Sequence, residues 1–211
     1  MPAAAPLRPA AQLRVDKRDA ILRAATEVFA ARGFFNAQVA DVARAAGTVY
    51  LYFKSKDDLL VSIFERTMRE AIADGRACIA PLGDPIAQLR AIARVHLDRL
   101  GGDRSLAVVF QVELRQSTKF MERFSATMLR EYLGLIRGII AAGQASGVFR
   151  REINATLAAK LFFGGLDEMA TNWMLSARTY SLASQADAIV DLFVSGAAAP
   201  ARPRPRTGGR K

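Results

Sequence analysis

The chain has 211 residues, 51% of them apolar, which is enough for one or two compact domains with a sizeable core. A single cysteine and a single histidine exclude a disulfide framework and a structural zinc site of about four Cys or His ligands, and they fit a reducing cytoplasm. The net charge of +10 is segregated: residues 1–56 carry 9 Lys or Arg against 4 Asp or Glu, residues 57–196 carry 16 against 16, and residues 197–211 carry 5 against none. Basic ends of this kind are the electrostatic footprint of a nucleic-acid contact, because Lys and Arg displace counterions from phosphates.

In chain order, residues 1–14 are Ala/Pro-rich and read as a disordered arm with neither a secretory signal nor a membrane span. A first helix is predicted over 16–32, opened by Asp16 with Asp19 as a variant capping box and stopped by Gly33. Its stripe of Ile21, Leu22, Ala25, Val28 and Phe29 can meet Val39, Val42 and Phe53, so that residues 15–56 form a unit of their own. Further helices are predicted over 39–46, 48–53, 56–79, 85–100, 104–116, 119–146, 154–177 and 182–195. Ser55 with Asp58 opens the fourth, Asp84-Pro85 opens the fifth, and Gly147 stops the seventh. No strand-like alternation interrupts them. The expectation is an all-α chain with a body at 57–196 and a disordered basic tail at 197–211.

The stretch VADVARAAGTVYLYFKSKDDLL (39–60) has two readings. In one, Gly47 separates a short helix from a second of six residues, about 9 Å long, which is short for a major groove. In the other, Val39, Val42, Ala43, Ala46, Val49, Tyr50 and Phe53 form one unbroken stripe, and a single helix runs through Gly47 at a cost of about 1 kcal/mol.

The segment LAAKLFFGGLDEMATNWML, within 154–177, is apolar nearly all round. Such a helix must be buried on more than one side, which in a short chain calls for a second subunit. Leu161, Gly164, Gly165 and Met169, with Leu192 and Phe193 of the last helix, are the expected two-fold interface.

AILRAATEVFAARGF, VADVARAAG and TVYLYFKSKDDLL together resemble the N-terminal domain of the TetR family of bacterial transcriptional repressors. LAVVFQVELRQS, GQASGVF and FFGGLDEMATNW resemble the branch that represses fatty-acid-degradation genes and is released by long-chain acyl-CoA. The resemblance covers residues 17–196. It implies an all-helical cytoplasmic homodimer with a three-helix DNA-binding head and a ligand-binding body, and an acyl-CoA effector rather than a cofactor. One departure stands out. Members of the family carry about four more residues between AAG and TVY, which form the turn and start the recognition helix.

The resemblance places Thr48, Tyr50 and Tyr52 on operator DNA, where hydroxyls suit phosphate contacts, with Lys54 and Lys56 as cations beside the next helix start. The competing reading is that the tyrosines pack the head. It also places Arg115 and Gln116 beside the acyl-CoA site, since a guanidinium fork matches phosphate oxygens; otherwise Arg115 pairs with a carboxylate. Asp167, Asn172 and Trp173 lie in the other motif, and the two polar groups need partners in a ligand site or across an interface. Phe110 and Phe162, with Leu106, Val109, Phe120, Phe124, Leu133, Ile136 and Leu161, either line an acyl tunnel or fill a core. His96 reads as a packed, hydrogen-bonded histidine and Cys78 as an inert thiol. No nucleophile elbow, phosphate-binding glycine loop or metal-spaced cluster is present, so an acyl-CoA-processing enzyme finds no support. Besides the repressor, a binding protein of the same fold that has lost operator reading stands as a rival.

Overall fold

A computed structural model describes residues 10–116, 120, 122 and 127–198. Every regular element among them is helical: α1 (Ala10–Arg32), α2 (Val39–Ala46), α3 (Lys56–Ile79), α4 (Pro85–Gly101), α5 (Arg104–Val108), α6 (Met128–Ser146), α7 (Ala155–Leu175) and α8 (Ala186–Ala197). Among the described residues the only pairing of extended backbone is an isolated bridge between Phe149 and Ala198.

Most helix ends follow their local signals. Ser55 Oγ accepts from the Asp58 N–H at 3.1 Å, and Asp84 Oδ2 accepts from the Ala87 N–H with Pro85 in the first turn. Gly33 (φ 76°) and Gly147 (φ 81°) end α1 and α6 in the left-handed region that favours glycine. The start of α1 differs from expectation. The helix begins at Ala10, so Asp16 and Asp19 lie inside it and cap nothing. Alanine is the best helix former, and it carries the helix back into a segment whose composition reads as an arm.

The expected helix over 104–116 is also corrected. The chain leaves α5 for one π-type turn at Val109–Glu113 and then a 3-10 turn at Leu114–Gln116. Of the helix expected over 119–146, the part from Met128 onward is α6; Phe124 lies outside the described residues.

The core has two lobes. One joins α1, α2 and the first half of α3 through Ile21, Phe29, Phe34, Val42, Phe53 and Ile63. The other joins the later part of α3 with α4, α6, α7 and α8 around Leu89, Ile92, Tyr132, Ile136, Phe162 and Leu166. The head is therefore not sealed off at residue 56. Leu106, Val109, Leu114 and Phe120 from the body complete its core, with Phe120 set edge-on to Phe34 at 5.5 Å.

Candidate functional site

In the head, neither reading of residues 48–53 holds. Gly47 (φ 78°, ψ −152°) ends α2, and its N–H bonds Ala43 O at 2.7 Å. Lys17 Nζ takes the Ala46 carbonyl at 2.6 Å. The chain then makes a single turn, with the Tyr52 and Phe53 N–H groups bonding Val49 O at 2.9 and 3.1 Å. Val49 and Phe53 are buried, Phe53 beneath the Arg18 guanidinium at 5.0 Å. The turn buries both side chains in the head core, a contribution of about 1.5–3 kcal/mol each.

Thr48, Tyr50 and Lys54 stand exposed on this turn, and Tyr52 is half-buried. Lys56 is half-buried. Its Nζ donates to Phe35 O and Ala37 O, both at 3.0 Å, and lies 4.7 Å over the Phe34 ring. It ties the α1–α2 loop to α3 with two of its three N–H donors. Asp41 is buried and paired with Arg32 and Arg44. The Gln38 N–H, then those two guanidiniums, hold its carboxyl below the usual range against the cost of burial.

In the body, α3, α4, the turns after α5, α6 and α7 enclose a mostly apolar cavity of about 170 Å³. Met68, Ala71, Leu100, Phe110 and Leu129 supply its apolar wall. Arg115 and Asp167 face it as an ion pair. Gln111 Nε2 donates to Asp167 Oδ1 at 2.8 Å, and Gln111 Oε1 accepts from Thr171 Oγ1 at 3.0 Å. His96 also lines the cavity, Nδ1 3.2 Å from the Tyr132 hydroxyl and Nε2 sealed from water without a partner.

Leu129 and Phe163 are shared with a second space, an open groove of about 720 Å³ between α6 and α7. Arg130 and Arg137 on α6 and Lys160 on α7 are its charged lining among the described residues, with no carboxylate beside them there. Arg130, Leu133, Gly134 and Arg137 follow i, i+3, i+4, i+7 spacing, which aligns them on one helix face. Apolar cavity and basic groove thus share one wall.

Of the predicted ligand residues, the structure brings Phe110, Arg115 and Asp167 to the cavity. The others lie elsewhere. Gln116 is exposed and reaches back to Glu113 at 3.4 Å. Asn172 points outward and bonds Glu168 Oε1 at 2.7 Å. Trp173 is buried with Nε1 on Tyr180 O at 3.0 Å, and Phe162 packs on Phe193 with ring centroids 5.0 Å apart. Of the tunnel residues, Leu133 lines the groove, Ile136 is core, Leu161 is 64% exposed, and Leu106, Val109 and Phe120 belong to the head core. Sequence reasoning missed Met68, Tyr132 and the groove cations. Only the Arg130/Arg137 spacing signalled any of them.

Head and body meet at Glu113. Its carboxylate is buried, and Oε2 accepts from the Phe34 N–H in the α1–α2 loop at 2.7 Å. The same short segment lines the cavity with Phe110, Gln111, Leu114 and Arg115. One π turn therefore faces the cavity on one side and the head on the other.

A three-element head joined to a larger helical body with an internal cavity is the build of a ligand-responsive transcriptional regulator. Residues 21–63 match the bacterial regulatory proteins of the tetR family, and residues 64–196 match the C-terminal region of YsiA-like proteins; the chain belongs to the TetR family. It is 34% identical over 180 residues to the fatty acid metabolism regulator protein of Bacillus subtilis, covering 83% of this chain and 93% of that one. Among solved structures it is similar to the fatty acid degradation regulator FadR of Bacillus halodurans (TM-score 0.81, 34% identity, 85% of this chain and 95% of that). It is also similar to FadR of B. subtilis in complex with stearoyl-CoA (TM-score 0.80, 33% identity, 84% and 98%). These relatives are transcriptional regulators, not enzymes.

Proposed function

We propose that this protein is a cytoplasmic homodimeric repressor of the TetR family whose effector is a long-chain acyl-CoA and whose genes serve fatty-acid degradation. The observation that carries the effector is the order of the two spaces: an apolar cavity, a shared wall at Leu129 and Phe163, then a basic groove. An acyl-CoA has the same order, hydrocarbon first and phosphates last. The B. subtilis FadR structure with stearoyl-CoA supports it. At about 170 Å³ the cavity is below the 300–1,000 Å³ of typical ligand pockets, so a long chain must widen it. Widening displaces the π turn and, through Glu113, the α1–α2 loop, which gives the ligand a route to the head.

The dimer reading rests on exposed leucines along α7 and α8: Leu157, Leu161, Leu175 and Leu192 are 55–79% exposed. Gly164 and Gly165 share the α7 face, and a methyl group at either would meet nothing within 4 Å, so a second copy can approach closely. Met169 and Phe193 of the expected interface are half-buried on the chain's own core.

The head favours a second reading. With one turn where a recognition helix is needed, Thr48, Tyr50 and Lys54 supply phosphate contacts but no groove-filling helix. On that reading the chain binds acyl-CoA and has lost specific operator affinity. Fluorescence anisotropy on the protein's own upstream DNA, with and without palmitoyl-CoA, separates the two. Nanomolar binding at physiological salt, abolished by palmitoyl-CoA, establishes the repressor. Weak, salt-sensitive binding beside a palmitoyl-CoA-raised melting temperature establishes the second reading. No thermal shift with palmitoyl-CoA overturns the effector in both.

A further inference from the structure

His96 stands where the two spaces meet. It lines the cavity, and its ring lies edge-on to Phe163 with centroids 5.7 Å apart, against the wall shared with the groove. Most other polar groups there are engaged: Asp167 by Arg115 and Gln111, the Gln111 oxygen by Thr171, and the two terminal nitrogens of Arg99 by Glu70 and Asp74, which leaves Arg99 Nε buried without a partner on a guanidinium already held by two carboxylates. His96 Nε2 is buried and bonds nothing. A buried donor left unpaired costs about 1–3 kcal/mol, and such groups in native proteins call for an explanation.

The Tyr132 hydroxyl lies 3.2 Å from Nδ1, and the arrangement in which the phenol donates leaves the fewest polar atoms unpaired, because the reverse bond would strand the buried phenol proton as well as Nε2. Burial lowers the imidazole to about 4, so the ring is neutral at physiological pH. A neutral ring that accepts at Nδ1 holds its proton at Nε2. The unpaired group is therefore an N–H in an apolar chamber, beside the wall that an acyl chain must pass.

We propose that His96 Nε2 donates a hydrogen bond to the thioester carbonyl oxygen of the bound acyl-CoA, making His96 the residue that distinguishes an acyl thioester from a chain of equal length without a carbonyl. The proposal rests on the acyl-CoA reading. With the hydrocarbon in the cavity and the phosphates on Arg130, Arg137 and Lys160, the thioester is the first carbonyl after the chain, ahead of the two pantetheine amides, and would fall at the junction beside Phe163, next to His96. The bond leaves the ligand chemically unchanged; it sets position and selectivity.

The test compares palmitoyl-CoA with S-hexadecyl-CoA, a thioether in which a methylene replaces the carbonyl, by calorimetric titration of the intact protein. Wild type is expected to bind the thioester about tenfold tighter, the equivalent of one well-placed hydrogen bond. His96→Phe is expected to bind the two ligands alike, and His96→Gln, which keeps an N–H donor, to retain part of the preference. Equal affinity of wild type for both ligands overturns the proposal and leaves the acyl-CoA reading standing; because that comparison needs no variant, a misfolded substitution cannot mask it. Full preference in His96→Phe also overturns it. Failure of wild type to bind either ligand overturns the acyl-CoA reading itself.

Discussion

The head ties most of its described cations into its own fold, whereas the body, which pairs many of its arginines with carboxylates, gathers three others on one groove. In the head, which carries a net +5 by sequence, Lys17 caps α2, Lys56 bonds two loop carbonyls, Arg32 and Arg44 pair with Asp41, and Arg18 lies over Phe53 and bonds Ser62. In the body, which is neutral in sum, Arg130, Arg137 and Lys160 converge on an open groove without a carboxylate among its described lining residues. Segment charge located the basic ends but not the cations free to take an anion. A lysine within 3 Å of two carbonyls is a structural bolt, whatever it adds to the net charge.

The largest effect that can sharpen this contrast is in the head. Inserting Val-Ser-Lys-Gly after Gly47 should give the chain a turn between two helices and let residues 48–53 enter a groove as a helix. Specific binding exceeds non-specific binding by at least about 10³ in typical regulators, so specific affinity for the upstream DNA should rise by a factor of that order. Anisotropy against operator and scrambled duplexes reads the ratio. An unchanged ratio would mean that the single turn at Val49–Phe53 is no obstacle to reading DNA.

The body's strongest pH signal comes from the chain's one histidine. Desolvation lowers His96 to about 4, with the Asp167 charge opposing; Tyr132 and Arg99 also line its cavity. The unfolded chain binds the proton near 6.5 and the folded chain near 4, so stability is full above 6.5 and falls as pH drops toward 4. At 1.36 kcal/mol per unit the loss approaches about 3 kcal/mol. Asp41 and Asp187, whose carboxyls are held below 3.8, lose their contributions only at lower pH, so the window belongs to His96. Urea midpoints between pH 7 and 4 should fall in wild type and stay flat in His96→Gln over that window.

Much of the helical frame is readable because its signals are local. Ser55, Asp84, Gly33 and Gly147 act within one turn, and the stripes of α1 and α3 need only their own spacing. What escapes is decided by tertiary packing. Val49 and Phe53 are four apart and buried together, which a helix or a single turn satisfies equally; the choice falls to α1 and the Gly47 backbone. The π turn leaves no trace in the apolar pattern of VVFQVE. Arg115 belongs to the cavity but faces Asp167, so the cations for a head group had to be found on two other helices.

The link between head and body can be cut at one side chain. Glu113→Ala leaves the buried Phe34 N–H without an acceptor and should cost about 1–3 kcal/mol in a urea melt. Glu113→Gln keeps an acceptor oxygen and should cost less. If the two variants melt alike, the contact contributes packing and no bond. If Glu113→Ala also uncouples DNA release from palmitoyl-CoA at unchanged ligand affinity, the π turn is the path between cavity and head.

The smallest effects lie in the groove, where each cation is exposed and a single pairing is worth little. An exposed ion pair contributes about 0–1 kcal/mol, so Arg130→Gln, Arg137→Gln or Lys160→Gln should each weaken palmitoyl-CoA by only a few-fold at physiological salt. The triple variant should lose more than one factor of ten, because three cations act on one phosphate cluster, and raising salt should weaken wild type but not the triple variant. Free palmitate, which carries no phosphates, should bind wild type and triple variant alike. Arg115→Ala is the control. Its guanidinium is committed to Asp167 at the cavity mouth, so its removal should weaken palmitate and palmitoyl-CoA by similar factors. A selective loss of palmitoyl-CoA in Arg115→Ala, with the triple variant unaffected, would move the phosphates from the groove to the cavity mouth at Arg115.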